Sequence, residues 1–184
     1  MNSPDGEPGK TENVPSRWTS EYRQLPDADT RTVFDMTTVT YKIEPLNLVD
    51  ATKLRSTSGR TYVADSKPGY PCRQCLRDAE IGDELLLVSH DPFLTDSPYR
   101  SASPIFIHTT PCHPGNLETL PEQLTIRQLS VRAFDVNAMM TNAVLTAGKD
   151  LDPTLSSMFT DPAVVTVHVH NAGRGCWATN IVRS

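Results

Sequence analysis

Residues 163–183 read AVVTVHVHNAGRGCWATNIVR. Val165, Val167 and Val169 occupy every second position, the spacing at which the side chains of an extended chain return to one face. Trp177 to Arg183 reads as a second strand, and the Gly-rich segment Asn171 to Gly175 between them supplies a tight turn, so the stretch predicts a β-hairpin. Upstream, Asp152-Pro153 predicts a helix start, because Asp can accept from free first-turn amides and Pro lacks a donor that would go unused. Leu155, Met158 and Phe159 form the inward face of that helix, and Asp161-Pro162 ends it.

The same reading carried back along the chain predicts strands at Gln128 to Val136, Asn142 to Thr146, Ser103 to His108, Glu84 to Ser89, Thr61 to Ala64 and Val33 to Ile43. A helix is predicted from Pro45 to a stop at Ser58-Gly59, with Leu46, Val49 and Leu54 on its buried side. Asp91 to Tyr99 is too rich in proline for regular structure. About seven or eight strands, two short helices and no β-α-β rhythm make the expected class α+β with a mainly antiparallel sheet.

The 184 residues suit one domain, expected over 33–184, behind a tail over 1–32 whose four prolines and scattered charges suggest disorder. Within that tail, Trp18, Tyr22 and Leu25 would share one helical face. Against 22 Asp and Glu stand 17 Lys and Arg, a net charge of −5, the wrong sign for gripping a phosphate backbone, so nucleic acid is not an expected partner. Membrane spanning is not expected either, since no apolar run approaches the roughly 18–20 residues required. The amino-terminal residues have neither a basic start nor an apolar signal core, which points to the cytoplasm and to reduced thiols.

Cys72-x-x-Cys75 is the sharpest chemical motif, because two thiolates two residues apart can face one tetrahedral zinc from a tight turn. Cys112 and Cys176, or one of them with a histidine from His108-x-x-x-Cys112, would complete a four-cysteine or a three-cysteine, one-histidine site. Two other readings are open: thiol redox chemistry at Cys72 and Cys75, with Arg73 and Arg77 favouring the thiolate, and ordinary buried cysteines.

His168-x-His170 places two imidazoles on one face of a strand. If that strand lies beside Ser103 to His108, then His108 joins them, with Arg132 able to hold a carboxylate or phosphate bidentately. Gly173-Arg174-Gly175 reads as a hairpin turn rather than a phosphate loop, lacking the Lys-Ser/Thr pair and a following helix.

Several separated segments, in order, resemble a known family: Gly69-Tyr70-Pro71-Cys72-Arg73-Gln74-Cys75-Leu76-Arg77, Asp91-Pro92-Phe93, Pro104-Ile105-Phe106-Ile107-His108 with Cys112, and Val167-His168-Val169-His170-Asn171-Ala172 with Gly175-Cys176. The chain thereby resembles, from Thr37 to Arg183, the microbial family of unknown function numbered 1203. The resemblance implies that Cys72, Cys75, His108, Cys112, Arg132, His168, Asn171 and Cys176 occupy signature positions, and it supplies no substrate or reaction. The expected function is a small enzyme or small-molecule-binding protein with a pocket of His108, Arg132, His168 and Asn171 suited to acid/base chemistry on an anionic metabolite. The alternatives are a zinc-stabilised interaction module, with Cys72, Cys75, Cys112 and Cys176 as ligands, and a thiol redox protein.

Overall fold

Alternating apolar side chains build the larger of two sheets. The structure, a computed structural model, describes residues 40–57 and 59–184. The expected disordered tail, the Trp18, Tyr22 and Leu25 face and most of the strand expected from Val33 lie outside the described residues. Eight strands and three α-helices follow in the order β1 (Tyr41–Glu44), α1 (Leu48–Arg55), β2 (Arg60–Val63), β3 (Glu84–His90), β4 (Ser103–His108), α2 (Glu122–Thr125), β5 (Gln128–Phe134), β6 (Met140–Ala147), α3 (Leu151–Met158), β7 (Thr166–Asn171) and β8 (Trp177–Arg183). The strands form two antiparallel sheets, β1-β8-β7-β5-β6 and β2-β3-β4, giving an α+β fold.

The expected hairpin is β7 and β8, joined through Gly175, whose φ of +71° lies in the left-handed region that glycine adopts readily. Val167 and Val169 of β7, Leu129, Val131 and Ala133 of β5, and Ala178 and Ile181 of β8 point to one side of the five-stranded sheet. There they pack on Leu151, Leu155 and Met158 of α3 and on Phe159. Each such large apolar side chain contributes about 1.5–3 kcal/mol when removed from water. At the rim, the Arg183 guanidinium lies 5.3 Å from the Phe159 ring centre and donates to the carbonyls of Phe159, Asp161 and Val164.

The opposite face of the sheet carries Arg132 and Phe134 of β5 with His168 and His170 of β7. The proline-rich segment after β3 covers part of it: Phe93 stands edge-on to Phe134, with ring centres 5.2 Å apart, and Ser97 donates to the Ala138 carbonyl. In the smaller sheet Phe106 of β4 meets Tyr62 and Tyr70, and Ile105 and Ile107 turn the other way into a cluster with Leu46, Ala51, Cys72, Cys75 and Trp177.

Several local expectations change in the folded chain. The strand β7 pairs with β5 and β8, and β4 pairs with β3, so the supposed neighbouring of β7 and β4 does not occur. Asp152 does not cap α3: the chain is already turning through a 3-10 turn at Gly148–Asp150, and the Asp152 carboxylate accepts from the Tyr41 hydroxyl. In α1 the cap is Asn47, whose side chain accepts from the Asp50 amide, and the buried residue is Ala51, while Val49 is 63% exposed. The four-residue α2 was not expected, being too short to show a helical period.

Gly148 sits where β6 runs into α3, with its amide donating to the Arg127 carbonyl. A Cβ there would lie 2.0 Å from the Leu124 carbonyl oxygen, backbone that cannot swing aside. Gly148→Ala is therefore expected to destabilise by about 3 kcal/mol, the upper range for overpacking. Gly173→Ala, with nothing within 4 Å of its added carbon, should stay within about 0.5 kcal/mol of the parent. Urea unfolding midpoints at matched slope test this, and equal midpoints for the two variants would refute the close approach.

Candidate metal centre

The loop between β2 and β3 closes on itself through backbone pairing. The Ala79 amide donates to Tyr70, the Cys72 amide to Arg77 and the Leu76 amide to Cys72. Leu76 has a φ of +53°, a conformation that costs a non-glycine residue about 1–2 kcal/mol, and it is fully buried. This tight return sets Cys72 and Cys75 on one side of the loop. The Arg73 amide then donates to the Phe106 carbonyl, bringing the loop against β4 two residues before His108.

His108 ends β4, opposite Leu85, and the chain beyond it carries Cys112 back over the loop. The Sγ atoms of Cys72, Cys75 and Cys112 and a ring nitrogen of His108 all lie within 4.8 Å of one another, a group that could hold a metal ion. Cys72 and Cys112 sulfurs are 3.7 Å apart, as are the Cys75 sulfur and His108 Nδ1. For bonds of about 2.3 Å to sulfur and about 2.0–2.1 Å to nitrogen, the edges of a zinc tetrahedron are about 3.8 Å (S to S) and about 3.6 Å (S to N). The observed edges match.

The surrounding groups favour an anion at the centre. Cys72 is held far below the ordinary thiol range, first by the Cys112 thiol and then by the Cys75 thiol, with the Cys75 and His108 amides also turned toward its sulfur. Cys112, as the donor to Cys72, is pushed upward. Hydrogen bonding to Cys75 raises the His108 pKa, with a smaller contribution from Asp83. Three sulfurs this close cannot all become thiolates in the absence of a cation, and a bound cation removes that conflict.

The outer contacts orient these donors. With Nδ1 toward Cys75, His108 turns Nε2 to the Asp83 carboxylate at 3.4 Å, and Asp83 is itself fixed by the Glu80 amide. Arg55 of α1 donates through Nε to the His108 carbonyl and through Nη2 to the Thr110 carbonyl and Gln74 Oε1. Sequence reasoning did not identify Asp83, Arg55 or Gln74. The only sequence signal for Asp83 was its place in the Gly82-Asp83 turn immediately before β3.

The remaining expected site residues lie elsewhere. Cys176 is outside the group of four and lines a second cavity with Asn171 and Arg73, so of the two expected sets the donors gathered are the three-cysteine, one-histidine one, not the four-cysteine one. The turn before β8 places Cys176 there, its sulfur 3.8 Å from the Arg174 carbonyl. His108 and the cysteines beside it line one cavity, while Arg132 and His168 line neither cavity. The pair Arg132 and His168 does come together, as directly opposed residues of β5 and β7. His168 packs between Phe93 and Phe134, each with its ring centre 4.7 Å away, and its Nδ1 is buried with no hydrogen-bond partner among the described residues. His170 Nδ1 is 2.9 Å from the Gly175 carbonyl, which fixes the proton on that nitrogen.

Residues 69–183 match the family described as protein of unknown function (DUF1203), and the chain belongs to that family. No curated protein and no solved structure matches the chain. Among the described residues no helix is long and apolar enough to cross a membrane.

Burial pushes the His168 pKa down to about 3 and the His170 pKa down to about 4, so both rings are neutral in the folded protein at pH 7. In the unfolded chain each protonates near pH 6.5. Their stabilisation is thus fully present above about pH 6.5 and is lost as pH falls from there toward their folded values, because the unfolded state then binds more protons. Between pH 7 and pH 5 the pair is expected to remove about 2–4 kcal/mol of stability, and His168→Leu should remove about half of that slope. Urea unfolding at several pH values checks it, and an unchanged slope in the variant would be the contrary result.

Proposed function

We propose that this chain is a zinc-stabilised protein in which Cys72, Cys75, His108 and Cys112 hold one structural ion. The observation that carries the reading is the convergence of four donor atoms from three chain segments within 4.8 Å of one another, two of whose separations fit the edges of a zinc tetrahedron. Three sulfurs and one imidazole suit zinc better than magnesium or calcium, which prefer oxygen. Four protein donors fill a tetrahedron and leave no position for a reacting water, so a structural ion is favoured over a catalytic one. Asp83 would act as the outer carboxylate that fixes the imidazole. The cavity of about 580 Å³ lined by Cys75, His108 and Cys112 offers a route by which an ion enters and a chelator removes it.

The ion's work on this reading is mechanical. It fastens the Cys72 to Cys75 loop, the end of β4 and the irregular chain after it at one point. Thiol redox chemistry has less support, because no helix begins at Cys72 or Cys75 to favour a thiolate by its dipole. Arg73, which that reading invoked, directs Nε and Nη1 to the carbonyls of Trp177 and Pro71.

Elemental analysis of the purified full chain is expected to give one zinc per chain, with Cys75→Ser and Cys112→Ser losing it and Cys176→Ser retaining it. Chelation should lower the melting temperature by about 10 °C or more, as befits an ion whose binding energy is folding energy. Asp83→Asn should weaken zinc affinity about 10–100-fold. Full stability without zinc, or loss of the ion from Cys176→Ser as complete as from Cys75→Ser, would refute the assignment.

A further inference from the structure

The loop that carries two of the metal-binding cysteines presents Arg73 on its other side, to the second cavity of about 730 Å³. Arg73 is only 2% exposed. A buried guanidinium ordinarily has a carboxylate beside it, since an unpaired charge out of water is destabilising by several kcal/mol. Here no carboxylate lies within ion-pair distance among the described residues. Nε donates to the Trp177 carbonyl at 2.6 Å and Nη1 to the Pro71 carbonyl, leaving Nη2 without an acceptor among the described residues.

The rest of the lining has the same sign. Arg127 and Arg174 also line the cavity, and no Asp or Glu does. Arg127 is neutralised by Asp78 through two bonds of 2.8 and 2.6 Å, so it serves as wall. Arg174, exposed on the β7–β8 turn, forms no ion pair among the described residues, which leaves two uncompensated guanidinium groups at one cavity. Facing them is an aromatic wall: Phe106 has Tyr62 at 5.6 Å and Tyr70 at 5.2 Å between ring centres.

We infer that this cavity binds a small organic anion, with its carboxylate or phosphate head on Arg73 and Arg174 and its flat or apolar body against Tyr62, Tyr70 and Phe106. A planar oxyanion can take the free donor edge of Arg73, and Arg174 on the turn can close on the same head. The low-dielectric wall strengthens the charge pairing, while the rings supply apolar contact area. The site is separate from the metal-binding group and involves none of its four ligands.

Titration of the ¹⁵N-labelled full chain at low salt with benzoate, phenyl phosphate, inorganic phosphate and neutral benzamide tests this. Saturable shifts of the Gly173, Arg174, Gly175 and Cys176 amides are expected with benzoate or phenyl phosphate, and none with benzamide. The two organic anions distinguish a carboxylate head from a phosphate head, and weaker binding of inorganic phosphate than of phenyl phosphate would assign the difference to the aromatic wall. Arg73→Gln should weaken binding about tenfold or more. If that variant fails to fold, because Arg73 also holds two carbonyls, the exposed Arg174→Ala decides with an expected loss of about threefold or more. Benzamide titrating like benzoate, shifts confined to other parts of the molecule, or undiminished binding after removal of the charge would each overturn the inference.

Discussion

The hydrogen bond from Arg73 Nε to the Trp177 carbonyl, 2.6 Å long, joins the cysteine loop of the smaller sheet to the first residue of β8 in the larger one. Around it the contacts are mutually dependent. Trp177 donates its amide hydrogen to the Ser103 hydroxyl of β4, its ring packs in the cluster that includes Cys72 and Cys75, and its ring face meets His90. The Arg73 carbonyl accepts from the Leu46 amide, which anchors the chain just ahead of α1. From α1, Arg55 reaches over to hold the carbonyls that follow β4. Both sheets therefore meet at a backbone-to-guanidinium junction, and the same loop carries Cys72 and Cys75 of the candidate metal-binding group.

That arrangement separates two chemistries on the two sides of a short segment. Cys72 and Cys75 turn to soft-ligand chemistry, where thiols, an imidazole and a carboxylate stand in ordered shells. Between them in sequence, Arg73 turns to a cavity rich in positive charge. The histidines of β7 take part in neither. Both are buried, His168 against Phe93 with Arg132 directly across the strand pair, and His170 bonded to the Gly175 carbonyl.

Much of the architecture was legible because the relevant signals are local. The β7–β8 hairpin, β4 and the inward residues of α3 follow from side-chain period and turn chemistry, and strand β8 begins and ends where its sequence changes character. Cys72 and Cys75 were legible for the same reason. The choice between Cys176 and His108 as the fourth donor of the group was not, since it depends on which strands share a sheet, and β4 and β7 belong to different ones. Asp83 reaches His108 only through the β3–β4 register, and Arg55 only through the docking of α1. The phase of α1 was misread because Leu46 is buried before the helix starts, which leaves Ala51 rather than Val49 to face inward.

Cys72 and Cys112 are 40 positions apart in the chain and meet sulfur to sulfur. An ion clasping both would close a ring of that span, and the folded chain meets the entropy of closing it before the ion arrives. By the polymer relation used for covalent crosslinks, a ring of that size removes about 4 kcal/mol of chain entropy at 25 °C. The irregular chain from Thr109 to Cys112 would then be held at both ends, by His108 at the end of β4 and by Cys112 at the ion.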